Sequence, residues 1–448
     1  MTAPAVDAVT VAPQPDLGRR VVRKLFWRLL PFLFLLYIVN YLDRINVGFA
    51  KLQMQDQLEF SERVFGIAFG IFFAGYFFFQ LPSNLALARV GARRWMAAIM
   101  VLWGVISCCM IFVRTPAGFY ELRFMLGAAE AGFFPGIILY LKNWFPETAR
   151  ARAFAWFMTA NPVAGVMGGP ISGALLGLHH LGSRQLAGWQ WMFLLEGLPA
   201  IALAVLVLVT LEDRPMQARW LDLTEKDWLT KALDHERQAQ EAISGTDIWA
   251  AFLSWRLWLL TIVYFGLTTS AYGIILWLPS YIHSLSTLGN LGIGIVSVIP
   301  YVATAVAMVV IGTRSDRTGS HRLHLTATAL LAAVFLFIAA QTNSIVPGLA
   351  FVTLALMATF SMQGPFWASA TSLMSGTAAA AGIALINSFG NLGGFFGPYI
   401  IGAKRSSGGG FREGMLIITA FLGLAGILAF VVRPPTKRPS SQRANPLQ

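Results

Sequence analysis

Arg89-Val90-Gly91-Ala92-Arg93-Arg94 and Arg317-Thr318-Gly319-Ser320-His321-Arg322 decide how this chain is built. Each sets a glycine between arginines at the same spacing, and the two stretches lie 228 residues apart. The same offset relates Trp27-Arg28-Leu29 to Trp255-Arg256-Leu257, and Gly165, Gly169 and Pro170 to Gly393, Gly397 and Pro398. Three motifs at one offset mark an internal repeat. Around them the chain is strongly apolar. Of 448 residues, 56% are hydrophobic and 12% charged, against about 45–50% and about 25% in a soluble domain. That balance excludes a disordered chain, a secreted disulfide scaffold and an ordinary cytosolic enzyme. Cys108 and Cys109 are adjacent in an apolar run and offer neither a disulfide framework nor a metal site.

Twelve apolar runs approach the roughly 20 residues that cross a bilayer: 28–50, 64–88, 95–113, 119–142, 153–177, 190–211, 256–281, 291–312, 323–341, 347–373, 381–403 and 413–432. Backbone groups in lipid must be satisfied internally, so these runs are helices. The expected fold is an all-α polytopic membrane protein, with twelve transmembrane helices in two six-helix pseudo-symmetric halves. An offset of six spans makes the halves parallel repeats. The expected organisation is a cytoplasmic tail 1–24, a six-helix bundle 25–211, a polar linker 212–252, a second bundle 253–432 and a tail 433–448. The linker, with Glu225, Lys226, Asp227 and Asp234, reads as a short amphipathic helix. Residues 1–24, ending in Arg19, Arg20, Arg23 and Lys24, read as a tail and not as a cleavable leader.

Charge sets the orientation. With both termini cytoplasmic, 24 of the 33 Lys and Arg fall on the inner side and seven on the outer, Lys51 and Arg405 among the seven. This is the positive-inside bias of an inner-membrane protein. It accounts for the net charge of +12 without nucleic acid.

Gly312-x-x-x-Asp316-Arg317-x-Gly319-x-x-Arg322 resembles the signature loop of the major facilitator superfamily. Its first-half copy carries Ala88 where the second has Asp316. The resemblance implies an alternating-access carrier whose gate uses Asp316, Arg317 and Arg89, with an asymmetric latch. Longer stretches resemble the anion:cation symporter family within it. They are Tyr41-Leu42-Asp43-Arg44-Ile45-Asn46, Gln80-Leu81-Pro82-Ser83-Asn84, Arg123-Phe124 through Glu130-Ala131-Gly132-Phe133-Phe134-Pro135-Gly136, and Gly188-Trp189-Gln190-Trp191-Met192-Phe193 through Glu196-Gly197. The resemblance covers residues 25–432. It implies an organic-anion substrate of the tartrate, aldonate, phthalate or hydroxyphenylacetate kind, coupled to protons. Trp277-Leu278-Pro279 and the Ser315-Asp316-Arg317 loop look closest to tartrate-type members.

The residues reach a compatible chemistry on their own. Asp43, Arg44, Arg123, Glu130 and Glu196 are ionisable groups inside first-half spans, each costing at least about 2.5–3.5 kcal/mol to insert. Such groups face a protein interior or a wet cavity. Arg123 lies seven residues before Glu130, about 10 Å along the helix and on nearly the same face. Asp43 and Arg123 sit at similar depth, so Asp43 is expected to engage Arg123, leaving Arg44 to the cavity. An arginine there stays charged and offers a carboxylate a planar fork; the resemblance assigns the matching arginine that role. The other reading of Arg44 is an ion pair with Asp43 or Glu130. Asp43 and Glu130 are the proton-coupling candidates, because a carboxyl balanced between burial and a guanidinium changes protonation as its exposure changes. Glu196 reads as a structural bridge.

Tyr41, Tyr76, Asn161, Tyr272, Trp367, Ser369 and Asn391 are candidate substrate contacts, each alternatively an interhelical hydrogen bond. The family uses residues at several of these places, and Tyr41, Tyr76 and Asn391 match best. His179, His180, His283, His321 and His324 fall at span ends. No phosphate loop, metal cluster or nucleophile motif is present, so neither an enzyme nor a cofactor is expected. The expected function is import of a small organic carboxylate with protons, by a monomer in the lipid bilayer. The rivals are a drug/proton antiporter of the same superfamily and a transporter-like membrane sensor.

Overall fold

The computed structural model describes residues 15–178, 186–241, 254–372 and 378–431. His179, His180, linker positions 242–252 and the tail 433–448 lie outside the described residues. All regular structure among the described residues is helical. The first four spans are α1 (Pro15–Leu58), α2 (Glu62–Val90), α3 (Ala92–Cys109) and the pair α4 (Pro116–Glu130) and α5 (Phe133–Trp144). The fifth is α6 (Glu147–Met158) with α7 (Ala160–Leu175), and the sixth is α8 (Gly188–Thr210). In the linker, α9 spans Leu223–Glu241. The second set is α10 (Trp255–Leu285), α11 (Asn290–Val296) with α12 (Val298–Thr318), α13 (His321–Ala340), α14 (Ile345–Ser361) with α15 (Gln363–Ser372), α16 (Ala378–Asn391) with α17 (Gly393–Ser406), and α18 (Gly410–Val431).

Local chemistry sets these boundaries. Ser61 caps α2 by accepting from the Val64 amide at 3.4 Å. Thr115 caps α4 by accepting from Gly118 at 3.2 Å, with Pro116 opening the helix. Four of the paired spans break at Gly132, Thr159, Ser297 and Met362, and each break lies three residues before a proline: Pro135, Pro162, Pro300 and Pro365. A proline ring clashes with the carbonyl four residues back and withholds a donor. The fifth break, at Leu392, sits instead among Gly390, Gly393 and Gly394. Proline alone does not suffice, since Pro279 lies inside the unbroken α10. Ten helical stretches among the described residues are long and apolar enough to cross a membrane. The fifth and eleventh spans are not among the ten.

In the first half α2 packs on α4 and α3 on α8; in the second, α13 packs on α18 and α10 on α17 and α18. Gly75 and Gly127 let α2 and α4 touch backbone to backbone. A Cβ on either would collide with the carbonyl of Phe124 or of Phe72. This closeness holds the Glu130 turn of α4 against α2.

The repeat offset appears directly in space. Arg44 and Tyr272, 228 residues apart, meet side chain to side chain. Gly48 and Leu276, separated by the same 228, meet at the backbone. Equivalent residues touch only where a pseudo-twofold axis runs between them, so α1 and α10 line that axis. Two further seams close the end of the bundle where α1 gives way to α2, here the far end. Gly66 of α2 meets Gly402 of α17, and Gly294 of α11, 228 residues after Gly66, meets Gly173 of α7. The opposite end, where α1 begins, is here the tail end.

Candidate functional site

The α1 face bearing Tyr37, Asn40, Tyr41, Arg44 and Gly48 looks toward the axis, at the three- and four-residue spacing of one helical stripe. Arg44 Nη2 pairs with Glu130 Oε2 of α4 at 2.8 Å. Its Nη1 lies 3.5 Å from the Tyr272 hydroxyl of α10. The guanidinium packs over Phe72 at 5.2 Å and Tyr76 at 5.6 Å from the ring centroids, both on α2. Its side chain is 11% exposed and that of Glu130 is fully buried. One guanidinium therefore joins elements of both halves, is neutralised by one carboxylate, and keeps an accessible edge. A ligand carboxylate reaching that edge competes with Glu130 for the same fork.

The expected Asp43–Arg123 pair does not form, and Arg44 is not left free of protein carboxylates. Asp43 lies about 100° around α1 from Arg44 and reaches α3. There it accepts hydrogen bonds from Ser107 of α3 and, at 3.4 Å, from Asn46; its Oδ2 has no partner. Arg123 is fully buried against α2, donating through Nε to the Ala68 carbonyl at 3.2 Å, with its guanidinium 5.0 Å from the Phe72 ring. Its expected ion-pair role is thus replaced by carbonyl and ring contacts. An expected depth is not contact: two residues at one level can face different neighbours. Glu196 bridges helices through a hydrogen bond from Ser172 of α7 at 2.8 Å, not through an ion pair.

Of the other expected contacts, Tyr76 and Tyr272 join Arg44. Tyr41 and Asn161 line a void of about 10 Å³ with Tyr301 and Thr304 of α12. Trp367 packs edge-on to Tyr264, 5.4 Å between centroids. Asn391 donates to Asn387 at 3.1 Å within its own helix. Ser369 is half-buried on α15. The expected gate residues Asp316, Arg317 and Arg89 are all exposed, and no ion pair links any two of them. The Asp316 carboxylate lies 4.0 Å from the His321 ring.

A second charged cluster lies beyond residue 50, where the apolar run of the first span ends but its helix does not. Helix α1 runs on to Leu58, which buries Lys51 to 3% exposure. Lys51 pairs with Glu62 at 3.1 Å and donates to Gln55 one turn on. Arg405 of α17 pairs with the same Glu62 at 2.9 Å, and both cations lie over the Trp277 ring. The Arg63 amide also donates to Ser406 Oγ at 2.6 Å. Glu62 thus ties the two halves at the far end. The signal was the continuing Lys51–Gln55 helical spacing. Glu62→Gln leaves two cations facing each other, and is expected to part the far end. Spin labels at the exposed Glu121 and Arg412 should then show a longer separation populated about 5-fold more, on the order of 1 kcal/mol for the partly buried Arg405–Glu62 pair that crosses between the halves. An unaltered distance distribution would show that the glycine seams alone hold this end.

A family model described as Major Facilitator Superfamily matches residues 33–398 and, in a second match, 287–447. An Agrobacterium vitis protein named "Putative tartrate transporter" is 45% identical over 96% of this chain and 95% of its own length. An Acinetobacter baumannii protein named "Quinolone resistance transporter" is 36% identical over 96% of this chain and 99% of its own. Among solved structures, a bacterial homologue of the human lysosomal transporter Spinster, in an inward-facing and unoccupied conformation, matches with a TM-score of 0.74 at 17% identity, over 94% of this chain and 97% of that one. At that identity the likeness is one of fold.

Proposed function

This chain belongs to the major facilitator superfamily of multi-pass membrane transporters, and on that premise we propose that it is a symporter bringing a small organic carboxylate across the membrane with protons. The observation that carries this reading is Arg44, held by Glu130 and reached by Tyr272 from the other half. The carboxylate of the substrate takes the guanidinium fork, and a hydroxyl such as that of Tyr272 or Tyr76 receives its second polar group. Glu130, displaced from its cation, is left in a dry setting and gains by taking a proton. Substrate and proton then favour each other's binding by the same factor, as linkage requires. Asp43, on the far side of α1, is the second proton carrier, with Oδ2 free to receive a proton.

In this reading the protein works as a monomer in the inner membrane with the tail end cytoplasmic, in keeping with the inner-side excess of Lys and Arg. The chain is then open toward the cytoplasm, with the far end shut by Glu62 and the glycine seams. Rocking of the halves about the α1–α10 axis exposes Arg44 to each side in turn.

Counterflow tests the proposal. Proteoliposomes preloaded with unlabelled tartrate should accumulate labelled tartrate above the external level. Binding without counterflow would favour a membrane sensor. The relative named for quinolone resistance favours a drug/proton antiporter as the second reading, and acid-driven export of a fluoroquinolone with no carboxylate counterflow would establish it instead.

A further inference from the structure

A cavity of about 1150 Å³ opens at the tail end between α1, α6 and α9. Its walls are largely aromatic, with Trp27, Trp156 and Trp228 among them, yet Arg19, Arg23 and Arg152 also line it, and among the described residues no carboxylate does. Arg19 and Arg23 are one turn apart on α1 and share a face. Arg152 enters from α6, its guanidinium 4.6 Å from the Phe26 ring centroid.

The pairing pattern around this cavity is selective. Lys24 is neutralised by Glu225 at 2.6 Å and Arg150 by Glu236 at 2.7 Å, on the same stretches of α1 and α6. Neither cation lines the cavity. The three arginines that do line it have no ion-pair partner among the described residues. The deep end of the cavity is formed by Phe34 and Phe157. Phe157 packs on Tyr37 at 4.8 Å, and Tyr37 stacks on Tyr41. Tyr37 precedes Arg44 by seven residues, about 10 Å along the helix. The cavity thus runs from the tail-end surface to within two turns of the central guanidinium.

We propose that Arg19, Arg23 and Arg152 form a second carboxylate subsite, which receives the anion as it leaves Arg44 and readmits anions from the tail side. The inference rests on the carboxylate-transport reading. Three guanidiniums without an ion-pair partner among the described residues, set against low-dielectric walls, concentrate anions locally, and their planar forks suit carboxylate oxygens. The site is open to water, so its affinity is weak. An anionic lipid headgroup shares the chemistry, and the experiment separates the two sources.

The probe is labelled tartrate, bound to Arg44→Gln protein in phosphatidylcholine nanodiscs. Weak binding should persist there, and adding Arg23→Gln and Arg152→Gln should weaken it at least about 5-fold. No residual binding, or binding indifferent to those changes, overturns the proposal. So does complete loss of tartrate binding when phosphatidylglycerol replaces phosphatidylcholine, which would make this a headgroup site. In an otherwise unaltered protein, Arg23→Gln with Arg152→Gln should raise the half-saturating tartrate concentration for exchange at the tail side more than at the far side; equal effects at both sides also overturn it. Failure of the transport reading shows separately, as absence of tartrate counterflow by the unaltered protein.

Discussion

Arg44→Lys is expected to raise the half-saturating carboxylate concentration at least about 30-fold while leaving the protein folded. Lysine keeps the charge but replaces a planar fork by a point donor. A charge-assisted bond lost at the site is worth about 2 kcal/mol, which is that factor. Arg44→Ala should abolish uptake altogether. It also leaves Glu130 buried without its cation, at a cost of about 3–5 kcal/mol, so thermal unfolding must accompany the transport assay. The double variant Arg44→Ala with Glu130→Gln removes both charges and should recover most of that stability without recovering uptake. Recovery of both would mean that the pair serves folding only. Normal uptake by Arg44→Ala in folded protein would remove the guanidinium from substrate binding.

The second large effect concerns coupling. Glutamine at 130 or asparagine at 43 keeps the size of the side chain and cannot exchange a proton at neutral pH. Glu130→Gln is expected to lose accumulation driven by a pH gradient, by on the order of 100-fold, while downhill counterflow persists. The two assays separate a coupling residue from a binding residue, since loss of binding would stop both. Asp43→Asn should behave in the same way if both carboxyls carry protons. Its hydrogen bonds with Ser107 and Asn46 can be kept by the amide with one acceptor oxygen. An Asp43→Asn protein that still concentrates substrate would assign coupling to Glu130 alone, and a Glu130→Gln protein that does so would reverse that assignment.

Much of the architecture was readable in the chain because membrane folding leaves few options. Apolar length gives the helices, basic residues give the expected orientation, and repeated motifs give the pseudo-symmetry. The offset of 228 is the sharpest case: read from arginines and glycines at the surface and seams, it reappears as the contact between Arg44 and Tyr272. The intramembrane charges were legible for the same reason, since an ionisable group in a spanning helix must have a use or a partner. Their partners were not. Rise per residue gives an expected depth for Asp43 and Arg123 and says nothing of their facing. The direction each faces depends on how α1 is turned against α2, α3 and α4, and that is decided by packing such as the Gly75 and Gly127 contact.

Sequence by itself therefore determined the class, the number of spans, the repeat and the short roster of charged residues inside the spans. Tertiary structure alone decided that Arg44 belongs to Glu130, that Asp43 belongs to Ser107, and that Lys51, Glu62 and Arg405 form a tie between the halves. The physical reason is one of range. Hydrophobic length and charge placement act through the bilayer on each helix separately, whereas an ion pair needs two helices to present their faces to each other within about 4 Å, and only the packed bundle fixes their rotation.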